Sequence, residues 1–281
     1  MTVQEARVAT HQRLAAAGTA SPAAETLLLL EEAVSLERTE LLLSGDRELT
    51  AAERRRLEAL VARREAREPL QHVLGRAPFY GLELAVDSRV LVPRPETERL
   101  VELVLERLRA DAVPDPLVLD VGTGSGAVAL AIKNEFPGAT VIGTDVSQDA
   151  LDVAAANAAR LGLAVTFARS DLLGAAEAKA AARACAVLVA NPPYLPAADA
   201  GWIGPEVMAD PPLALFGGPS GLETAERLVE EARHLMPAGS SLALELDPRN
   251  VQRLRARLGA WQDVEVERDL VGRERFVVAR R

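Results

Sequence analysis

The tetrapeptide Asn191-Pro192-Pro193-Tyr194 follows an apolar run at 187–190 and constrains the fold more than any other feature. A short apolar run bounded by turn residues predicts a strand that is buried on both faces of a parallel sheet. Open α/β sheets bind their ligands at the carboxyl ends of such strands. Two successive prolines remove two N–H donors and fix φ. The tetrapeptide, called the lip below, is therefore predicted to form a rigid edge that accepts hydrogen bonds from a planar NH2 group; a plain proline turn is the alternative.

A glycine-rich loop earlier in the chain makes the plain turn a poor explanation. The segment 117–121 predicts a strand and 127–132 has helical composition. The loop between them consists of Gly122, Thr123, Gly124, Ser125 and Gly126. Glycines allow a sharp turn and a close approach of the backbone to a ligand. The spacing fits G-x-G-x-x-G/A with Ala127 in the last place, a pattern that both dinucleotide and S-adenosyl sites use.

Acidic residues follow the next two predicted strands. Asp145 ends the strand 140–144 and lies 19 residues after Gly126, a position suited to binding ribose hydroxyls. The strand 165–168 is followed by Asp171 and Leu172. We expect Asp171 to accept a hydrogen bond from an adenine amino group, although a solvated loop aspartate is an equally good interpretation. The predicted cofactor site consists of the glycine loop, Asp145, Asp171, Leu172 and Asn191.

Together these features resemble the class I S-adenosylmethionine-dependent methyltransferases, and among them the enzymes that carry Asp/Asn/Ser-Pro-Pro-Tyr/Phe. The resemblance is strongest to the HemK/PrmC family, which methylates the side-chain amide nitrogen of a glutamine in peptide chain release factors. It rests on the segments 69–75 and 79–82, on the run 90–98 with its Pro-Arg-Pro-Glu-Thr-Glu sequence, and on 205–218. The resemblance covers residues 68–281.

This resemblance implies an α/β fold: the doubly wound sheet of class I methyltransferases, preceded by a helical domain and a β-hairpin connector. We expect a helical bundle for substrate recognition at 1–75, a hairpin connector at 76–92 and a methyltransferase domain at 93–281. The implied reaction transfers a methyl group from S-adenosylmethionine to the side-chain amide nitrogen (N5) of the glutamine in the Gly-Gly-Gln motif of release factors. The protein partner is therefore a release factor.

The predicted catalytic residues are Asn191, Pro192 and Tyr194. The Asn191 side-chain oxygen and the Pro192 carbonyl can each accept an N–H of the glutamine amide, which orients the nitrogen and favours the positive charge that develops on it. Tyr194 can pack over the amide plane, and the resemblance implies these places for Asn191 and Tyr194. Pro193 and Leu91 complete the predicted glutamine site, although a plain core leucine is an equal interpretation of Leu91.

The sequence departs from the family pattern at three places. Ala186 stands where an acidic residue usually precedes the catalytic asparagine by five positions, and Ser220 stands where aspartate is common. At 247–250, Asp-Pro-Arg-Asn replaces the usual glycine and glutamine. None of these positions lies in the lip, so they concern packing near the cofactor and the C-terminal helix rather than the reaction.

Composition argues against membrane, disulfide and metal functions. The chain has 281 residues, 49% hydrophobic and 26% charged, as in ordinary globular proteins. The longest leucine run, 27–30, is too short to cross a bilayer, and 1–5 lacks the features of a secretory signal. A single cysteine, Cys185, and three scattered histidines give no disulfide framework and no metal site. We therefore expect a cytoplasmic protein without a metal.

The net charge of −9 argues against direct nucleic-acid binding, which needs clustered lysine and arginine. The one basic cluster, at 54–67, is interleaved with glutamates and predicts a solvated helix face. An adenine-N6 DNA methyltransferase, which shares the tetrapeptide, would need a basic groove. A ribosomal-protein glutamine methyltransferase is a second alternative, whose relatives differ at 95–97. A nicotinamide dehydrogenase would give the lip no role. A ligand-binding or scaffolding relative that has lost catalytic activity is disfavoured by the intact glycine loop and lip.

Overall fold

Capping residues in the sequence begin the first helices. α1 (Val3–Ala16) and α4 (Ala51–Glu65) each follow a threonine whose side chain accepts the backbone N–H of a glutamate three residues on, and that glutamate accepts the threonine N–H in return. α2 (Pro22–Val34) begins with proline at its first position. The shorter helices α3 (Arg38–Leu43) and α5 (Leu70–Leu74) complete the helical N-terminal region.

These helices enclose a hydrophobic core of their own. Leu14, Leu29, Leu30 and Val61 are 0% exposed within it. The spacing of Leu57, Leu60 and Val61 on α4 puts all three on one buried face. The N-terminal region is therefore a packed unit, in agreement with the helical bundle expected from the sequence.

A short hairpin follows this helical region. Its strands are β1 (Arg76–Phe79) and β2 (Leu82–Ala85), which pair in a two-stranded sheet. The turn between them places Tyr80 and Gly81 at positive φ, 47° and 76°. The hairpin occupies only the first part of the predicted connector 76–92, and the remainder up to Val92 has no strand.

A seven-stranded sheet is the centre of the methyltransferase domain. Its strands are β3 (Leu117–Val121), β4 (Thr140–Asp145), β5 (Val165–Arg169), β6 (Val187–Ala190), β7 (Ser241–Glu245), β8 (Gln262–Arg268) and β9 (Glu274–Arg280). Their order is β5-β4-β3-β6-β7-β9-β8; the first five are parallel, and β9 pairs antiparallel with β7 and β8. The chain winds outward from β3 to β5 and then returns to pair β6 with the other side of β3. The predicted doubly wound fold is confirmed, with its switch point between β3 and β6.

Helices cover both faces of this sheet. The helices that follow the hairpin in the chain are α6 (Thr97–Asp111), α7 (Ala127–Glu135), α8 (Gln148–Leu161), α9 (Ala176–Ala184), α10 (Pro205–Met208), α11 (Pro212–Leu215), α12 (Glu223–Leu235) and α13 (Val251–Arg255). Of these, α10 packs with the N-terminal helices instead. Successive strand residues point to opposite faces. Val187 and Val189 therefore join the core with α6, α7 and α8, whereas Leu188 and Ala190 join the core with α9, α12 and α13.

The structure, a computed structural model, describes all residues from 1 to 281, and they divide into two compact units. One unit comprises 1–76 together with Gly204–Ala209, and the other comprises 77–203 and 210–281. The expected division had placed Gly204–Ala209 in the methyltransferase domain. Ion pairs explain the difference, because Glu206 of this segment pairs with two arginines of the N-terminal unit. No helix in the structure combines the length and the apolar character needed to span a membrane.

Candidate active site

A cavity opens at the switch point of the sheet, where β3 and β6 end. Its volume is about 430 Å³, within the range of about 300–1,000 Å³ that small-molecule sites occupy. The predicted site residues that line it are Leu91, Gly122, Thr123, Gly124, Ser125, Asp145, Asp171, Leu172, Asn191 and Pro193. Gly126, Pro192 and Tyr194 lie outside its lining. The structure thus brings most of the predicted cofactor and substrate residues to one place.

The glycine loop exposes bare backbone to this cavity. Gly122, Gly124 and Gly126 have φ values of 77°, 55° and 83°, which L side chains rarely adopt. The N–H groups of Gly122 and Thr123 both donate to the Thr144 carbonyl oxygen at 2.8 Å, so the loop is anchored to β4. A Cβ at Gly122 or Gly124 would meet open space. The backbone conformation, rather than contact with neighbouring protein atoms, therefore requires glycine at these two positions.

The Asp145 carboxylate is fixed at the end of β4. One oxygen accepts the Gly124 N–H and the other accepts the Ser147 N–H, both at 2.9 Å. Burial raises the pKa of Asp145, and these backbone donors oppose that effect. A carboxylate oxygen can accept more than one hydrogen bond, so both retain capacity for ribose hydroxyls. Exposed loop backbone beside an oriented carboxylate fits an S-adenosyl group.

Asp120, near the end of β3, supports the glycine loop through hydrogen bonds. The sequence analysis did not identify this residue. It accepts hydrogen bonds from the Thr123 hydroxyl at 2.7 Å and from the Ala129 N–H at 3.2 Å. Its side chain is 1% exposed, and burial raises its pKa to about 7. A charged residue inside the apolar strand 117–121 is the sequence signal that marks it. Asp120 ties the loop to α7 and holds the turn in shape.

The predicted adenine contacts lie after β5. Asp171 lines the cavity, but its side chain is 64% exposed and pairs with Arg227 at 3.1 Å. Leu172 has φ of 48°, and its carbonyl accepts the Ser170 hydroxyl at 2.7 Å. A non-glycine residue held at positive φ beside a cavity is a feature of functional sites. The adenine contact of Asp171 itself stays a prediction.

The lip begins where β6 ends, and its first residue faces the cavity. The Asn191 side chain donates from Nδ2 to the Thr97 hydroxyl at 3.2 Å. Pro193 also lines the cavity, whereas Pro192 is buried and Tyr194 is half-buried. Burial raises the pKa of Tyr194, so its phenol stays neutral. Because Nδ2 is engaged by Thr97, the Asn191 amide has a defined orientation with Oδ1 free to accept.

The stretch after the lip holds it in place. The Leu195 N–H donates to the Leu215 carbonyl at 2.9 Å, and the Gly217 N–H donates to the Leu195 carbonyl at 3.0 Å. Leu195 and Phe216 form a parallel bridge. The lip is therefore rigid for two reasons, its own prolines and this second segment that pairs with it.

A buried carboxylate fixes the segment that carries Leu91. Asp210 is 1% exposed and accepts the Val92 N–H at 3.3 Å and Arg94 Nη2 at 2.5 Å. Arg94 itself lines the cavity. Asp210 thus connects the segment after the lip to the Pro-Arg-Pro-Glu-Thr-Glu run.

Several cavity residues had no role in the sequence-based prediction. They include Phe79, Arg94, Thr97, Phe216 and Arg227. Arg94 and Thr97 belong to the run 93–98, which carried the resemblance without a chemical role for either side chain. Cys185 lies outside the cavity; it is buried, and burial raises the pKa of its thiol to about 12, so it is inert.

Comparisons with known proteins agree with this geometry. Residues 5–75 match the PrmC N-terminal domain family, and 118–200 match a methyltransferase domain family. The release factor glutamine methyltransferase of Deinococcus radiodurans is 48% identical over 271 residues, covering 96% of this chain and 95% of that protein. The enzyme of the same name from Moorella thermoacetica is 40% identical, covering 100% and 99%.

A solved structure shares the fold. The T. thermophilus 16S rRNA methyltransferase RsmC, in complex with AdoMet and guanosine, superposes with a TM-score of 0.51 at 22% identity, covering 73% of this chain and 49% of that chain. At this identity the similarity concerns the fold alone. The two curated relatives, each matched over nearly their whole length, settle the family. This chain belongs to the release factor glutamine methyltransferases.

Proposed function

We propose that this chain transfers a methyl group from S-adenosylmethionine to the side-chain amide nitrogen of the glutamine in the Gly-Gly-Gln motif of peptide chain release factors. The observation that carries the proposal is the Asn191 amide, which lines the same cavity as the glycine loop and has its Nδ2 engaged by Thr97. Relatives named release factor glutamine methyltransferase support this substrate over a ribosomal protein or a DNA adenine.

The chemical difficulty lies in the nucleophile. An amide nitrogen shares its lone pair with the carbonyl group, and its proton is too weakly acidic for an ordinary general base to help. Bound S-adenosylmethionine supplies an electrophilic methyl group on a sulfonium. The task of the chain is therefore to hold the amide nitrogen in line and to favour positive charge on it.

The lip performs this task by accepting hydrogen bonds. Asn191 Oδ1 and the Pro192 carbonyl each accept one N–H of the glutamine amide, which turns the nitrogen towards the cofactor. Asp145 and the glycine loop hold the cofactor, with Asp171 and Leu172 at its adenine end. Tyr194 excludes water from the lip, and its neutral phenol takes no proton. Leu91 and Pro193 contact the aliphatic part of the glutamine.

The N-terminal unit is proposed to recognise the body of the release factor. A glutamine on a loop offers little surface, so discrimination has to come from contacts remote from the reacting atom. The net charge of −9 fits a protein substrate better than a nucleic acid. We place the reaction in the cytoplasm and assign no direct nucleic-acid partner.

Mass spectrometry of a purified release factor tests the proposal. The factor is incubated with the protein and isotope-labelled S-adenosylmethionine, and the peptide with the Gly-Gly-Gln motif is sequenced. We expect one labelled methyl group on the glutamine, and Asn191→Ala should lose most of the transfer while it retains much of the cofactor affinity. An unlabelled glutamine with the parent protein, or label on another residue, would overturn the substrate assignment.

A further inference from the structure

The last residue of β7, Glu245, is a fully buried carboxyl group. Its side chain is 0% exposed, and neither of its carboxylate oxygens makes a hydrogen bond. Buried polar groups in folded proteins nearly always have hydrogen-bond partners, and an uncompensated buried charge is strongly destabilising. Proteins keep a destabilising buried group of this kind mainly where the group contributes to a functional site.

Glu245 lies level with the start of the lip. β6 and β7 pair in parallel register with Ala190 opposite Leu244, so the next residues along the two strands are Asn191 and Glu245. Glu245 therefore lies at the same edge of the sheet as Asn191, although it is not among the residues that line the cavity.

The Thr97 hydroxyl interacts with both side chains. It accepts the Asn191 Nδ2 hydrogen at 3.2 Å, and it is also the group that most strongly lowers the pKa of Glu245. The contact between Thr97 and Glu245 falls outside hydrogen-bond geometry in the structure. A threonine hydroxyl has one hydrogen to donate and lone pairs to accept. While the Thr97 oxygen accepts the Asn191 Nδ2 hydrogen, the hydroxyl hydrogen of Thr97 is free to be donated to Glu245.

We propose that Glu245 is a positioning residue that acts through the Thr97 hydroxyl to hold the Asn191 amide with its oxygen towards the substrate. The inference rests on the proposed function and names a further residue for it. An ionised Glu245 can only accept hydrogen bonds, so it draws the Thr97 hydrogen towards itself. The Thr97 oxygen then accepts Nδ2, and Asn191 Oδ1 remains for the glutamine N–H.

Protonated Glu245 reverses this direction. A carboxylic acid can donate to the Thr97 oxygen, and the Thr97 hydrogen is then released to Asn191 Oδ1. The amide would present its NH2 group to the cavity, where an N–H of the glutamine finds no acceptor. Activity is therefore expected only while Glu245 is ionised.

Other charged groups around Glu245 adjust this equilibrium. Arg275 on β9 and Arg94 favour the ionised form, Glu96 disfavours it, and Tyr194 is a neutral phenol that faces the same carboxyl group. Burial outweighs these effects and raises the pKa of Glu245 to about 7. Methyl transfer should consequently rise with pH through about 7 and level off above it.

The interacting side chains of Asn191, Thr97 and Glu245 are called the relay below. Substitutions in the relay test the proposal, with cofactor-saturated protein and intact release factor. Thr97→Val and Glu245→Gln are each expected to lower kcat about 10-fold, the effect of one lost hydrogen bond, with cofactor affinity unchanged by calorimetry. The double variant should be no slower than the slower single variant, because both changes break the same relay. Thr97→Ser, which keeps the hydroxyl, should recover most of the rate lost in Thr97→Val.

A matched control separates the relay from the mere removal of a buried hydroxyl. Thr26 in the N-terminal unit is 1% exposed, and its hydroxyl has no hydrogen-bond partner. Thr26→Val makes the same chemical change and should leave kcat as in the parent. Additive losses in the double variant, or equal losses in Thr97→Ser and Thr97→Val, would overturn the relay.

The pH profile distinguishes Glu245 from the other carboxyl group of similar pKa. Burial raises the pKa of Asp120 to about 7 as well, so a rise in rate near this pH has two candidate origins. The rise should be absent in Glu245→Gln and in Thr97→Val; a rise that persists in Glu245→Gln assigns it to Asp120 and refutes the proposal.

Infrared spectra of protein with labelled glutamate give a readout without turnover. A buried carboxyl band should titrate near pH 7, vanish in Glu245→Gln and shift in Thr97→Val. If the parent protein fails to methylate the factor, the proposed function is wrong, yet this band still reports the coupling between Glu245 and Thr97. A band that does not shift in Thr97→Val would overturn the inference about Glu245 and leave the proposed function unaffected.

Discussion

A Cβ atom at Gly217 would overlap the backbone carbonyl oxygen of Pro193, the third residue of the lip. The stretch after the lip can lie against it only because this position has no side chain. A Cβ at Gly221 would overlap the Tyr194 carbonyl oxygen in the same way. Two glycines thus set the distance between the lip and its supporting segment, and the precision of the site depends on both.

Gly217→Ala is therefore expected to displace the lip. A shift of the reacting groups by about 1 Å can cost about 100-fold in rate, and we expect a loss of this order in methyl transfer. Cofactor affinity should stay within a few-fold of the parent, since Gly217 does not line the cavity. Turnover by mass spectrometry and binding by calorimetry measure the two effects. Gly259→Ala is the matched control, because a Cβ there meets nothing within 4 Å.

Asp145→Ala should weaken cofactor binding. The carboxylate is proposed to accept ribose hydroxyls, and it also holds the Gly124 N–H. Charge-assisted hydrogen bonds of this kind contribute about 1.5–3 kcal/mol, and calorimetry should show a loss in this range. Asp171→Ala should have a smaller effect, because that side chain is 64% exposed and already paired with Arg227. Equal losses in the two variants would contradict the roles assigned here.

The sequence predicted those parts of the site that follow directly on a strand. The glycine loop comes immediately after β3 and Asn191 immediately after β6, so their meeting at the switch point follows from the alternation of strands and helices alone. The uninterrupted apolar run 187–190 likewise predicted a strand buried on both faces. Local patterns were sufficient for these features because each depends on a few neighbouring residues.

Contacts between distant segments could not be predicted in this way. Thr97 and Asn191 are separated by 94 positions, and nothing in either motif states that their side chains meet. Two of the three departures from the family pattern also contact each other, since Asn250 Nδ2 donates to the Ser220 carbonyl at 3.0 Å. These pairings depend on how whole elements pack, which periodicity and motif spacing do not encode.

The position of Gly204–Ala209 is a further example, and it leads to a stability prediction. Glu206 pairs with Arg67 at 2.6 Å and with Arg64 at 3.0 Å. These arginines, Arg67 first, lower the pKa of Glu206 to about 2. A carboxyl group with a lowered pKa stabilises the fold above its ordinary pKa of about 4.5, and this stabilisation is lost as the pH falls towards 2.

Glu206→Gln is expected to lower the free energy of unfolding by about 1 kcal/mol at pH 7, since the partly exposed pairs are screened by solvent. The difference from the parent should shrink at pH 3, because this pH lies between the unfolded-state pKa of about 4.5 and the folded-state pKa of about 2, where part of the stabilisation is already lost. Urea denaturation at both pH values measures this. Glu177→Gln on α9, an exposed glutamate, is the control and should change neither value. A difference that is equal at both pH values would exclude the ion pairs as its source.

The N-terminal unit presents two exposed leucines that suit protein recognition. Leu42 and Leu43 on α3 are 51% and 84% exposed. If this unit recognises the body of the release factor, Leu42→Ser with Leu43→Ser should raise KM for the intact factor several-fold. KM for a short Gly-Gly-Gln peptide should not change. Leu270→Ser, at a residue 90% exposed in the β8–β9 turn, is the control. Equal effects on factor and peptide would place recognition elsewhere.

Glu245 and Asp120 should give the molecule a stability that decreases as the pH rises. Burial raises the pKa of both groups to about 7 from ordinary values near 4. Above those ordinary values the unfolded chain ionises while the folded chain keeps its protons, so the free energy of unfolding falls until about pH 7 and then levels off.

Glu245→Gln removes one of these contributions. The variant should be more stable than the parent by about 1–3 kcal/mol at pH 8 and close to it at pH 4, where both states of the parent are largely protonated at this position. Chemical denaturation across this range tests the sign, with Glu177→Gln as the exposed control. A variant less stable than the parent at pH 8 would mean that partners of the ionised carboxylate outweigh its burial. The expected result means that stability and activity depend on pH in opposite directions. Ionisation of Glu245 lowers the free energy of unfolding, and the ionised form is the one proposed to orient Asn191.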